Sequence, residues 1–151
     1  MSPESSLRED PSAWRNPGPV ERRRILRETR TVAVVGASPN PARPSHGVAR
    51  YLLTATDYEV WFVNPRADSV LGRPAYPTLA DCPGVPDLVD TFRRREDLPA
   101  VLDDVLALGG VRTWWLQVGL WAEDLAVRAE AAGLAVVMDR CLKVEHARFA
   151  G

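Results

Sequence analysis

Lysine is almost missing from this chain. There is one, Lys143, against eighteen arginines. The two cysteines, Cys82 and Cys141, suit neither a disulfide framework nor a cysteine-rich zinc site. A reducing cytoplasm is therefore the expected compartment. Asp139, Glu145 and His146 are too scattered to form a metal site, and no metal is expected. No apolar run approaches the ~20 residues of a membrane span. Residues 1–19 lack the apolar stretch of a secretory signal. The net charge of −1 gives no basis for a general affinity for nucleic acid or anionic membrane. The arginine excess reads as genome composition, since most of these residues fall on helix faces expected to be solvated; phosphate recognition is the other reading.

What remains is an ordinary globular balance, 46% apolar and 26% charged over 151 residues. That is enough for one domain with its own core. Met1–Gly18 is poor in apolar residues and reads as a flexible or loosely docked arm. Residues 19–151 read as the domain. Pro19 is placed to open a helix running to about Thr29.

From Thr31 the pattern alternates. Apolar strands are expected at Thr31–Gly36, Tyr58–Asn64, Asp87–Phe92, Arg112–Val118 and Leu134–Met138. Helices are expected at Val48–Thr54, Leu98–Leu108 and Ala122–Ala132, with a short one from Lys143. Such alternation predicts an α/β fold: a Rossmann-like, doubly wound parallel sheet of about five strands in a three-layer α/β/α arrangement. Trp114 and Trp115 then point to opposite faces of one strand, and both can be core residues.

Ligands of such sheets bind past the carboxyl ends of the strands, so five strand ends matter. The first carries Gly36, Ala37 and Ser38. Gly36 allows a sharp turn and a close approach to peptide N–H groups. A dinucleotide fingerprint is absent, because G-x-G-x-x-G would need glycine where Ser38 and Pro41 stand. The second end reads Asn64-Pro65-Arg66. An NAD site usually has a carboxylate there; an arginine favours a phosphate near the ribose, as in NADP or coenzyme A. Asn64 and Pro65 are equally ordinary turn residues. At the third end, Phe92 can flank a base or cap the core. Of Arg93, Arg94 and Arg95, one or two can grip phosphate, with Arg95 the most readily solvated. No catalytic set assembles. Ser38 has no evident base, His46 and His146 read as surface or capping residues, and Cys141 reads as a buried inert thiol.

Taken in order, VAVVGASPNPARPSHGVARYL, VNPR, DLVDTFRR, WWLQVGLW and VVMDRCLKVEH resemble the stand-alone CoA-binding protein family. That family is related to the N-terminal CoA-binding domain of the succinyl-CoA synthetase alpha subunit. The resemblance runs from about Thr31 to Arg148. It implies coenzyme A, free or acylated, lying across the strand ends. Its motifs fall on Gly36, Ala37, Ser38 and Arg43; on Asn64, Pro65 and Arg66; on Phe92 and Arg93; and on Gln117, Val118 and Gly119. The chain has no length for the synthetase's phosphorylated histidine or nucleotide-binding parts. The expected function is thus coenzyme A binding without chemistry of its own. The rival readings are an NADP-dependent enzyme or redox sensor, and a subunit lending its CoA site to a partner protein.

Overall fold

The computed structural model describes residues 13–150. Helix α1 (Pro19–Glu28) precedes β1 (Thr31–Val35), α2 (Pro44–Ala55) and β2 (Glu59–Val63). A small edge hairpin follows, β3 (Ser69–Val70) and β4 (Arg73–Tyr76). Then come β5 (Leu88–Thr91), α3 (Leu98–Leu108), β6 (Thr113–Leu116), α4 (Glu123–Ala131), β7 (Ala135–Val137) and α5 (Leu142–Phe149). Two single 3-10 turns, Leu79–Asp81 and Arg95–Asp97, punctuate the loops.

The sheet runs β3-β4-β2-β1-β5-β6-β7. Only β3 is antiparallel to its neighbour. Counting the parallel strands alone along the chain gives the order 3-2-1-4-5-6 of a Rossmann sheet. The five expected strands form its body, and β3 and β4 are additions at one edge.

Strand alternation divides the core in two. Val89, Trp114 and Val136 pack with Leu98, Val101, Leu102 and Val105 of α3 and with Leu125, Ala126 and Ala129 of α4. On the other face Val32, Val34, Leu88, Trp115 and Val137 pack with Ile25 and Leu26 of α1, Val48, Ala49 and Leu52 of α2, and Leu142 of α5. Both tryptophans are fully buried, one in each layer.

The end of the Met1–Gly18 arm, residues 13–18, docks on the domain; the remainder lies outside the described residues. The Trp14 indole N–H donates to Glu130 Oε1 at 2.7 Å, and its ring meets that of Trp121 edge-on at 5.4 Å. Asn16 Nδ2 donates to the Met138 carbonyl, and Met138 N donates to Asn16 Oδ1, both at 2.8 Å. The carboxamide thus satisfies both backbone groups of the residue that follows edge strand β7, as a neighbouring strand would. Composition alone does not reveal such a contact, since one amide does it.

Candidate functional site

The chain leaves β1 toward β2 on one side and returns through β5 on the other. The connections that follow β1 and β5 therefore run to opposite sides, and the cleft of a doubly wound sheet opens between them. A groove of about 1030 Å³ occupies this edge.

Gly36 stands at its floor with φ +85°, and a Cβ there would lie 2.0 Å from the Phe92 carbonyl oxygen. Glycine is needed at this point by the protein's own backbone: Gly36 N donates to Val63 O, and Phe92 N donates to Val35 O. Ala37 is fully buried and is not on the groove wall. Ser38 is on the wall. Its N–H donates to Ser45 Oγ, and its Oγ accepts from Asn40 N. These short-range bonds shape the loop, together with Asn40 Oδ1 accepting from Ala42 N. Helix α2 begins at Pro44, earlier than expected, because proline is favoured in a first turn. Its N-terminus, Pro44 and Ser45, faces the groove with Arg43 beside it. Partial positive charge is therefore aimed at the cleft.

Asn64, Pro65 and Arg66 all line the groove. The Asn64 side chain is committed to the protein. Its Nδ2 donates to Ala37 O at 2.8 Å, and its Oδ1 accepts from Arg66 N and Ala67 N. Asn64 stitches the first and second loops together, and the turn reading is the one its atoms satisfy. Phe92, Arg93 and Arg94 are also on the wall. Arg93 lies 3.6 Å from Asp97, and Arg94 Nε donates to the same carboxylate at 3.2 Å. Arg95 starts the turn beyond and is not a lining residue. At the far end stand Gln117, Val118 and Leu120. Gly119 is off the wall, with its N–H held by Asp139 Oδ1 at 2.7 Å.

Ten of the twelve expected residues thus meet in one groove, Ala37 and Gly119 being the two that do not. Pro44, Ser45, Asp97 and Leu120 were missed. The spacing of Asp97 four residues after Arg93 was the available signal. A second pocket of about 180 Å³ adjoins the groove and shares Gly36, Pro65, Arg93 and Asp97 with it. Its other walls include Val63, Leu79, Ala100 and Val101, with Asp104 among them.

His46 is buried in the first turn of α2, and His146 is buried in α5 with Nδ1 2.9 Å from Tyr51 Oη. Neither lines the groove, and nor does Cys141, which is half-buried ahead of α5. Burial holds the His146 imidazole below its usual pKa and pushes the Cys82 thiol up to about 11, the latter with help from Asp81. Among the described residues no group of three or more His, Cys, Asp or Glu is arranged to hold a metal.

One buried carboxyl stands apart. Asp90 of β5 is fully buried, with neither oxygen hydrogen-bonded. Alternation places it on the α1–α2–α5 face, in register with Val34 and Trp115. Burial drives its pKa well above the ordinary carboxylate range; the Thr91 N–H pulls the other way without making a well-formed hydrogen bond. The folded protein therefore keeps a proton that the unfolded chain releases. The unfolded state then binds fewer protons, and this residue makes stability fall as pH rises from about 4 toward its raised folded value. Asp90→Asn should flatten that fall. It should also make the variant gain on the parent as pH rises, since the amide has no proton to release and is as short of partners as the acid it replaces. Urea titrations across pH measure both effects, and parallel pH profiles for the two proteins would contradict the assignment.

Residues 30–147 match the family model described as CoA binding domain. The chain belongs to this CoA-binding domain family. It is 39% identical over 132 residues to the uncharacterized protein YneT of Bacillus subtilis (strain 168), covering 87% of this chain and 96% of that one. A hypothetical protein from Pyrococcus horikoshii OT3 superposes with a TM-score of 0.85 at 32% identity, over 95% of this chain and all of the other. The dinucleotide-forming acetyl-coenzyme A synthetase 1 of Ca. Korarchaeum cryptofilum, solved with phosphate and ADP, matches with a TM-score of 0.65 at 27% identity. That match takes in 75% of this chain but only 26% of the synthetase. Among the described residues no helix is long and apolar enough to cross a membrane.

Proposed function

We propose that the groove binds coenzyme A and that the protein works by recognition, without chemistry of its own. The observation that carries this reading is a pair of unspent cations. Arg43 and Arg66 both line the groove and are exposed, and among the described residues neither side chain has an ion-pair partner. They follow the adjacent strands β1 and β2 and line the cleft together with the N-terminus of α2. A ligand with several phosphates answers that arrangement. Arg93 and Arg94, already sharing Asp97, have less to offer. The smaller pocket suits the adenine: Val63, Ala100 and Val101 give apolar walls, and Asp97 and Asp104 can accept from its amino group.

Arg43→Ala and Arg66→Ala should each weaken coenzyme A binding about ten- to a hundredfold, since a charge-assisted contact contributes about 1.5–3 kcal/mol. Both side chains are exposed, so folding stability should move by less than about 0.5 kcal/mol. Arg93→Ala should cost less affinity than either. Calorimetric titration reads the affinities. If both variants bind like the parent, the phosphates lie elsewhere.

A second reading has one observation in its favour. The acetyl-CoA synthetase match covers about a quarter of that chain, so a unit like this one also exists as part of a longer polypeptide. In that reading the chain lends its site to a partner protein. Affinity isolation of the intact chain tests it, and recovery without any stoichiometric partner speaks against it.

A further inference from the structure

The groove's two ends differ in chemistry, and Gln117 sets the character of the second. Gln117 follows β6, is buried, and lines the groove. Its backbone is committed: N donates to Thr91 O at 3.3 Å, and O accepts from Leu120 N at 3.0 Å. Its side-chain Oε1 accepts from Leu142 N, at the start of α5, at 3.3 Å. That bond fixes which way the carboxamide faces, because a flipped amide would set N–H against N–H. Only Nε2 is left. It is a pure donor with no partner among the described residues.

Its neighbours on the wall are Val118, which is 65% exposed, and Leu120. A fixed neutral donor between apolar side chains is poorly suited to a phosphate. It suits the carbonyl oxygen of an uncharged chain. The spacing agrees: from β2, which carries Arg66, to β6 is three strand steps, about 14 Å at roughly 4.8 Å each. An extended arm leaving the phosphate end can cross that gap.

We propose that Gln117 is the groove's specificity-determining residue for a carbonyl-bearing arm, with Nε2 donating to an amide or thioester carbonyl of a pantetheine chain. This rests on the coenzyme A reading and deepens it. It makes the protein a reader of the arm as well as of the nucleotide. A ligand having the phosphates and adenosine but no arm should leave Nε2 untouched.

Gln117→Glu is the discriminating variant. It keeps an oxygen for Leu142 N and replaces the donor by an acceptor. Titration of coenzyme A should show a loss of about tenfold or more. Adenosine 3′,5′-bisphosphate, which lacks the arm, should bind parent and variant alike to within about twofold. Equal losses for both ligands would mean that added negative charge alone is responsible, and no loss for either would mean that Nε2 touches nothing; both results overturn the proposal. A second measurement needs no variant. Gln117 is the only glutamine in the chain, so selective labelling with side-chain ¹⁵N-glutamine gives a single NH₂ pair in the NMR spectrum, free of the asparagine pairs. That pair should shift with coenzyme A and stay in place with the bisphosphate. A pair that moves with both ligands, or with neither, contradicts the proposal even though coenzyme A binds. If the parent binds no coenzyme A at all, the underlying reading falls with it.

Discussion

Glu145→Ala should destabilise the protein by about 3 kcal/mol, a large share of the 5–15 kcal/mol that a domain commonly has. Glu145 of α5 and Arg22 of α1 are both buried, with Oε1 3.1 Å from Nε. The approach is off-line for a hydrogen bond, so this is an ion pair held by charge. Arg140 adds a second cation at 3.6 Å. Removing the carboxylate leaves the Arg22 guanidinium buried without a counter-charge, and breaking such a pair from one side costs about 3–5 kcal/mol. The lower end applies because Arg22 still donates to Pro17 O at 2.7 Å and lies over the Phe149 ring at 5.5 Å. An apolar exchange of both partners, Arg22→Met with Glu145→Leu, should recover most of the loss. Urea denaturation measures the two variants. A loss below about 1 kcal/mol for Glu145→Ala would show that the pair is not desolvated as described.

Gly36→Ala should lower the melting temperature by on the order of 10 °C and impair the groove. Two effects add. A side chain at φ +85° costs about 1–2 kcal/mol. The new methyl also starts 2.0 Å from Phe92 O, and forcing that contact apart adds about 1–3 kcal/mol. The backbone has little freedom to yield, since Gly36 N and Phe92 N are bonded to β2 and β1. Gly47 is the control. It lies in α2 with nothing within 4 Å of an added Cβ, so Gly47→Ala should stabilise by about 0.5–1 kcal/mol through helix propensity. Differential scanning calorimetry compares the two. A Gly36→Ala protein melting within a degree or two of the parent would contradict the close approach.

Legibility from sequence followed the strength of the local pattern. The five strands of the sheet's body announce themselves through β-branched, near-continuous apolar runs, and Trp114 and Trp115 divide between the faces as a two-residue period requires. Strands β3 and β4 do not: one has two residues, and the other, Arg73–Tyr76 with Pro74 in it, has no apolar run to read. Three prolines, Pro39, Pro41 and Pro44, read together as loop, although the last opens α2. Site residues were legible by position, since strand ends converge in any parallel sheet. Their individual roles were less so. Asn64 reads equally as ligand contact or turn residue until its three hydrogen bonds are seen. Arg93 and Arg66 look alike in sequence, and only Asp97 separates them.

Competitive ligand titration tests the central claim most directly. Isothermal calorimetry of the parent protein with coenzyme A, NADP and NAD compares three nucleotides at one site. Arg43 and Arg66 favour a phosphate-rich nucleotide, whereas the first loop lacks the glycines with which a dinucleotide fold approaches a pyrophosphate. Coenzyme A should therefore bind more tightly than either dinucleotide. Binding of NADP as tight as that of coenzyme A, or tighter, would contradict the account.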